Sequence, residues 1–209
     1  MQQQEYVKAL YGDVVPAPCP FTQEEIAELK ETNELLIYLP KGLTPQEMCQ
    51  RWDIPCNIDF KGERLIRTVM TTEDQWFLAS AEERPELLYV SGQQAARIYQ
   101  DEGLHGMDLR RYLAFAATFR LHFGRLPDQA YWTFLHSGSY DRSGISVAGF
   151  DRHGCLNHHG WMRNFKAKFA GSRYVVLAPR IEVVKETADI PRARRGQPGW
   201  RSLEASMDS

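Results

Sequence analysis

The sequence has few cysteines and no long hydrophobic run, and these two shortages exclude several classes of protein. Its four cysteines, Cys19, Cys49, Cys56 and Cys155, are too few and too scattered in 209 residues for a disulfide scaffold. Apolar runs such as Tyr174 to Ala178 are far shorter than the ~20 residues of a membrane helix. The N-terminal MQQQEYVKAL lacks the basic and apolar regions of a secretory signal. These shortages predict a cytoplasmic protein with reduced thiols and no membrane partner.

Motifs that bind phosphate or activate a nucleophile are also missing. The sequence has no Walker-type loop, no dinucleotide-binding glycine pattern and no G-x-S-x-G nucleophile turn. Nothing therefore favours nucleotide hydrolysis or hydride transfer, and no cofactor is expected. The 43% hydrophobic and 25% charged residues are ordinary values for a globular chain.

Charge is distributed unevenly along a chain whose net charge is only −2. From Met1 to Gly106 there are 18 acidic and 9 basic residues, a balance of −9. From Arg152 to Arg201 there are 11 basic and 3 acidic residues, a balance of +8. This asymmetry is consistent with a basic surface for nucleic acid or another polyanion, but attraction between the two halves, or a solvated basic tail, explains it more simply.

Capping residues predict four helices. Thr22 with Glu25 has the spacing of a capping box, and Thr44 followed by Pro45 is typical of a helix start. Ser91 begins a helix that Gly103 ends. Asp108 begins the longest and most apolar helical pattern, which Gly124 ends, so we expect this helix at the centre of the core. Its polar residues are expected on one arc, namely Arg110, Arg111, Thr118 and His122.

Short β-favouring runs alternate with these helices. ERLIRTVM (63–70), QWFLAS (75–80) and PELLYV (85–90) predict strands in the N-terminal half, together with LLIYL (35–39). YWTFLH, ISVAGFD, CLNHHGW and RYVVLAPRIEVV, a long run that Pro179 breaks, predict an antiparallel meander in the C-terminal half. FKAKFAG, between the last two runs, is interpreted as a short helical turn. The expected class is α+β: an antiparallel sheet of about four to six strands backed by the apolar helix, with a smaller N-terminal α/β region.

Composition divides the chain into four segments. Residues 1–20 are predicted as an extended arm, which holds a short amphipathic piece from Glu5 to Tyr11 and then prolines 16, 18 and 20, which favour extended backbone. Residues 21–103 form the N-terminal α/β region and residues 104–185 the helix-backed sheet, either as separate domains or as one. Residues 186–209 have few apolar side chains and many Arg, Pro, Gly and Ser, which is typical of a flexible basic tail.

The stretch from His136 to Trp161 concentrates the chemically versatile residues of the chain. His153, Cys155, His158 and His159 are all types that ligate zinc. In an extended strand, however, His158 and His159 point to opposite faces, and only His159 shares a face with Cys155. No metal site is therefore expected. Pairs such as Cys155 with His159, or Ser137 and Ser139 with His136, are the candidate nucleophiles, and turn formation explains the serines adequately.

Aromatic residues and arginines are interleaved around the same hairpin, a combination shared by protein-binding hot spots and single-strand nucleic-acid surfaces. We predict a non-enzymatic binding module of unknown ligand and unknown oligomeric state, acting through an aromatic, histidine-bearing hairpin surface. Its expected ligand-binding residues are Tyr131, Trp132, Tyr140, Asp141, Arg142, His159, Trp161 and Arg163. Two alternatives stay open: a nucleic-acid-binding protein that uses the basic C-terminal half, and a metal-dependent hydrolase or nuclease that uses the His and Cys residues.

Overall fold

The helices and strands of the computed structural model are described for residues 3–29, 31–58, 73–140 and 144–177. The predicted tail at 186–209 lies outside these residues, and so do the predicted strand ERLIRTVM (63–70) and the second part of the last predicted strand, RIEVV (180–184). The helices are α1 (Gln3–Tyr11), α2 (Gln23–Glu28), α3 (Pro45–Arg51), α4 (Gly92–Asp101) and α5 (Leu109–Phe123). The strands are β1 (Glu34–Leu39), β2 (Gln75–Ser80), β3 (Leu87–Leu88), β4 (His105–Gly106), β5 (Trp132–Tyr140), β6 (Gly144–Phe150), β7 (Leu156–Trp161), β8 (Ala170–Ser172) and β9 (Tyr174–Leu177).

The predicted caps set the ends of the helices. Thr22, Thr44 and Ser91 each complete a capping box at the start of α2, α3 and α4, which satisfies backbone donors that have no partner inside the helix. The Asp108 side chain accepts from the backbone N–H of Arg111 at the start of α5. Gly124 ends α5 in the left-handed conformation, with φ of 71°, as predicted.

The strands form two sheets, and the α+β class is confirmed. The four-stranded sheet is antiparallel with the order β1-β2-β9-β4. The five-stranded sheet has the order β3-β8-β5-β6-β7, in which β5 and β8 are parallel.

The predicted C-terminal meander is correct for three of its four strands. β5, β6 and β7 pair antiparallel in sequence order, but β9 joins the other sheet, between β2 and β4. The chain crosses between the sheets at Arg173, whose buried ion pairs hold it there. The predicted helical turn over FKAKFAG is also wrong, because residues 165–169 form an irregular loop that leads into β8.

α5 lies in the main hydrophobic core, as its apolar pattern predicts, and nearly all of its circumference is buried. The expected polar arc is wrong for Arg110 and Thr118, which are both fully buried. Arg110 donates to the backbone oxygens of Leu43 and Pro40, at 2.7 and 2.9 Å, so carbonyl groups solvate its charge.

The N-terminal residues are not the extended arm that the prolines predict. Residues 3–11 form α1, and Tyr6, Val7, Leu10 and Tyr11 of this helix are buried in the main core. The Tyr11 hydroxyl donates to the backbone oxygen of Tyr38 at 2.5 Å. The prolines act only on residues 12–20, which contain neither helix nor strand.

A buried ion cluster connects the two sheets. Arg173 donates two hydrogen bonds to Asp128, from Nη2 to Oδ1 at 2.7 Å and from Nε to Oδ2 at 3.0 Å, and both side chains are fully buried. Tyr112 of α5 and Thr133 of β5 donate their hydroxyls to Asp128 Oδ2. Glu86, whose side chain is 2% exposed, lies 3.6 Å from Arg173 Nη1. Two carboxylates therefore share one guanidinium in the core.

Burial acts in opposite directions on the pKa of Glu86 and on the pKa of Arg173. Desolvation raises the pKa of Glu86 to about 7, although the nearby Arg173 opposes the shift. Burial alone would lower the pKa of Arg173, but the charges of Asp128 and Glu86 raise it above its ordinary value. Arg173 therefore stays charged, and Glu86 is the member of the cluster that titrates near neutral pH.

Candidate functional site

The two sides of the five-stranded sheet have different environments. Leu135, Ala148, Phe150 and Leu156 face the main core, where Phe150 stacks on Tyr112 of α5 with ring centroids 5.8 Å apart. Phe134 and Val147 face the opposite side, in a separate and smaller hydrophobic cluster. This second side is the outer face of the sheet.

Successive side chains of a strand point to opposite faces, so the two histidines of β7 lie on opposite sides of the sheet. His158 is 5% exposed, and burial lowers its pKa to about 4, so it is neutral at physiological pH. His159 is exposed, and its ring lies 5.2 Å from that of Trp132.

An aromatic cluster forms on the outer face. We name it the aromatic face and define it as Trp132, His159, Trp161, Phe165 and Phe169. The ring of Trp161 is its centre, with centroids 5.4 Å from Trp132, 5.0 Å from Phe165 and 6.3 Å from Phe169. Phe165 is 37% exposed and Phe169 50% exposed, although apolar side chains of this size are commonly buried.

The two phenylalanines come from the loop of residues 162–169, which is held at several points. The backbone oxygen of Arg163 accepts from the N–H of Gln93 at the start of α4, and the oxygen of Phe169 accepts from Trp132. Between them, Ala167 is 9% exposed and packs into the small cluster under the loop. Because these contacts fix the loop backbone, they also fix where Phe165 and Phe169 lie on the sheet surface.

The same loop supplies positive charge without a compensating carboxylate. Arg163, Lys166 and Lys168 are exposed, and no Asp or Glu occurs between Arg152 and Phe169. The described residues of β5 and β6 contain no Asp, Glu, Lys or Arg. The aromatic face therefore has a basic border on the side of this loop.

The structure brings together part of the predicted site. Trp132, His159 and Trp161 are members of the aromatic face, and Arg163 lies on its basic border. Tyr131 is half-buried beside the sheet, with its backbone oxygen against Gly149.

The other three predicted residues are Tyr140, Asp141 and Arg142, and the structure describes none of their side chains. Tyr140 pairs with Gly144 through its backbone, and its side chain lies outside the described structure. Asp141 and Arg142 lie wholly outside the described residues. The placement of these three side chains therefore stays a prediction.

Phe165 and Phe169 were not predicted as site residues. The helical interpretation of FKAKFAG assigns them to a helix, with no reason to place them on the sheet surface. The available signal is compositional: two phenylalanines flank two lysines over five residues that contain no acidic side chain. Since lysine is almost never fully buried, such a segment is expected at the surface together with its phenylalanines.

The zinc-ligating residue types do not converge. His158 and His159 lie on opposite sides of β7, His153 is exposed in the preceding turn, and Cys155 lies near Asn57. Among the described residues, no three His, Cys, Asp or Glu side chains are close enough to hold a metal ion.

One serine and one histidine form a close pair that the sequence did not predict. His136 Nε2 lies 2.5 Å from Ser172 Oγ. Ser172 is fully buried, and burial lowers the pKa of His136 to about 4. A substrate cannot reach this serine without local opening, so the pair is best explained as internal polar packing between β5 and β8.

None of the helices that the structure describes has the length and apolarity needed to cross a bilayer. No protein-family model, curated protein or solved structure matches the chain. The geometry and charge of the aromatic face are therefore the basis on which a function is inferred.

Proposed function

We propose that the protein is a binding module whose aromatic face stacks the bases of single-stranded nucleic acid. One observation carries the proposal: a single loop adds two exposed phenylalanines and three cations to a sheet surface that already presents two tryptophans. This places rings for bases and charges for phosphates within one short segment of chain.

Stacking supports a nucleic-acid ligand because every base has a flat apolar surface. Each base that stacks on an aromatic side chain contributes about 1–3 kcal/mol to binding. Phe165 and Phe169 are 37% and 50% exposed and their rings form edge contacts with Trp161, so part of their surface is available to a ligand.

Charge distinguishes this ligand from an uncharged apolar one. Arg163, Lys166 and Lys168 are exposed, and each can neutralise a phosphate and release its counterions. A single strand fits better than a duplex, because a duplex keeps the faces of its bases stacked on one another and unavailable to side chains. Protein-binding hot spots share the aromatic composition, but the bordering cations without carboxylates favour a polyanion.

The first test measures affinity for a fluorescein-labelled oligothymidine by fluorescence anisotropy at low salt. The double variant Phe165→Ala/Phe169→Ala is expected to weaken binding by about tenfold or more, since it removes two stacking rings. Phe123→Ala is the matched control, because Phe123 is 46% exposed at the end of α5 and is not part of the aromatic face. Absence of binding by the unaltered protein, or an equal loss in the control, contradicts the proposal.

Salt dependence tests the contribution of the basic border separately. Replacing Lys166 and Lys168 with glutamine is expected to reduce the slope of log affinity against log salt by about 1.4, at ~0.7 for each phosphate contact. Lys41→Gln is the control, since Lys41 is exposed but belongs to the turn after β1. An unchanged slope in the double variant, with affinity retained, shows that these lysines do not contact phosphate.

A further inference from the structure

Three of the four cysteines lie near one another, although Cys155 is far from Cys49 and Cys56 in sequence. Cys49 is in α3, and the chain turns back after this helix so that the N–H of Ile54 donates to the backbone oxygen of Cys49. Cys56 follows two residues later and pairs with Leu156 as an isolated bridge beside β7. This bridge brings Cys155, the residue before β7, towards the same place.

Of these three cysteines, Cys49 and Cys56 form the candidate reactive pair. Cys49 and Cys56 line the same surface cleft, of which Cys155 is not a part, and burial and the neighbouring Cys56 raise the pKa of the Cys49 thiol. Cys49 is 3% exposed and Cys56 is half-buried against the same core. Both are reduced in the structure.

A surface cleft gives small molecules a route to this pair. It has a volume of about 430 Å³, and Cys49 and Cys56 line it together with Gln46, Gln50, Asp53, Ile54 and Pro55. Apolar side chains and polar groups, two amides and one carboxylate, share the wall, and the cleft opens to solvent, so the thiols are reached from the surface.

We propose that Cys49 and Cys56 form a dithiol site that a low-molecular-weight disulfide oxidises to an intramolecular disulfide. This inference is independent of the nucleic-acid proposal, since it uses different residues and a different surface. It assigns a role to cysteines that the sequence presents only as scattered, small apolar groups.

The reaction is two thiol–disulfide exchanges. The Cys56 thiolate, on the more exposed sulfur, attacks one sulfur of the small disulfide and forms a mixed disulfide, and the other half leaves as a thiolate. The Cys49 thiolate then attacks the Cys56 sulfur and displaces the second small thiolate. The protein loses two electrons and two protons, and the small disulfide is reduced to two thiols.

The order of attack follows from burial. Desolvation raises the pKa of the Cys49 thiol, and the neighbouring Cys56 and Cys155 raise it further. A thiol of raised pKa is a poor first nucleophile, but it can act as the second because the mixed disulfide holds its target nearby at high effective concentration. Only six residues separate the two cysteines, so the closed loop is short.

The sequence makes the product simple to identify, because trypsin cleaves after Arg51, between the two cysteines. The full-length protein is incubated with oxidised glutathione under native conditions, the remaining thiols are alkylated, and the tryptic digest is measured by mass spectrometry without reduction. We expect peptide 42–51 to be linked to peptide 52–61, and the link to disappear after treatment with a reducing agent.

Other products would overturn the assignment. A link between 52–61 and 153–163 identifies Cys155 as the partner of Cys56, and recovery of both peptides fully alkylated shows that the site is not oxidised. Cys49→Ser is expected to stop the reaction at the glutathione mixed disulfide on Cys56, whereas Cys155→Ser is expected to leave the disulfide intact. Tryptophan fluorescence of each variant before oxidation verifies that the protein is folded.

Discussion

Replacing Asp128 with asparagine is expected to lower the free energy of unfolding by about 3–5 kcal/mol, as measured by urea denaturation. Asparagine keeps the size of the side chain and tolerates the left-handed backbone of this position, where φ is 54°. The substitution removes the negative charge that pairs with buried Arg173, which donates two hydrogen bonds to Asp128. Most of the loss of stability therefore comes from the Arg173 guanidinium, which stays buried without its main carboxylate partner.

The matched control for this variant is an exposed ion pair. Glu83 lies 3.1 Å from Arg125, and the side chains are 53% and 57% exposed, respectively. Glu83→Gln is expected to change the free energy of unfolding by less than about 1 kcal/mol, because water solvates both charges and screens their attraction. Similar losses in the two variants would contradict the assigned role of burial.

Replacing Glu86 with glutamine is expected to stabilise the protein at alkaline pH and to have little effect near pH 4.5. Burial raises the pKa of Glu86 from 4.5 to about 7, so the folded state binds this proton more tightly than the unfolded state does. The stability that protonated Glu86 contributes is present at low pH and is lost as the pH rises from 4.5 through 7. Above pH 7 the variant is expected to be more stable by about 3 kcal/mol.

The measurement is a pair of urea-denaturation series, one for each protein, from pH 4.5 to pH 9. Only the difference between the two curves is interpreted, because other titrating groups contribute equally to both. Asp128 and Arg173 remain paired in the variant, so the guanidinium keeps a carboxylate partner. A difference that is constant with pH, or that favours the unaltered protein above pH 7, contradicts a raised pKa at Glu86.

Features that depend on neighbours in sequence could be predicted. The helix starts at Thr22, Thr44 and Ser91 follow from capping boxes that span three residues. The separation of His158 from His159 follows from the alternation of a strand, and the same rule places His159 and Trp161 on one side. These rules need no knowledge of the rest of the fold.

Features that depend on distant partners could not be predicted. Phe77 of β2 pairs with Leu177 of β9, and Arg173 binds Asp128 across 45 residues. Neither contact leaves a periodic or compositional signal at either position. The position of Cys49 and Cys56 at one cleft was missed for a related reason, since a turn after α3 and not a helical or strand period brings them together.

The crossing of the chain at Arg173 also has a consequence for folding during synthesis. β8 lies between β3 and β5, and β9 lies between β2 and β4, so residues 170–177 supply an interior strand to both sheets. Until the ribosome has released these residues, β2, β3 and β5 each have an edge without its final partner, and such edges promote pairing with other chains. Contacts across such long stretches of sequence also form slowly. The nascent chain is therefore most prone to aggregation in the interval before Arg173 reaches Asp128.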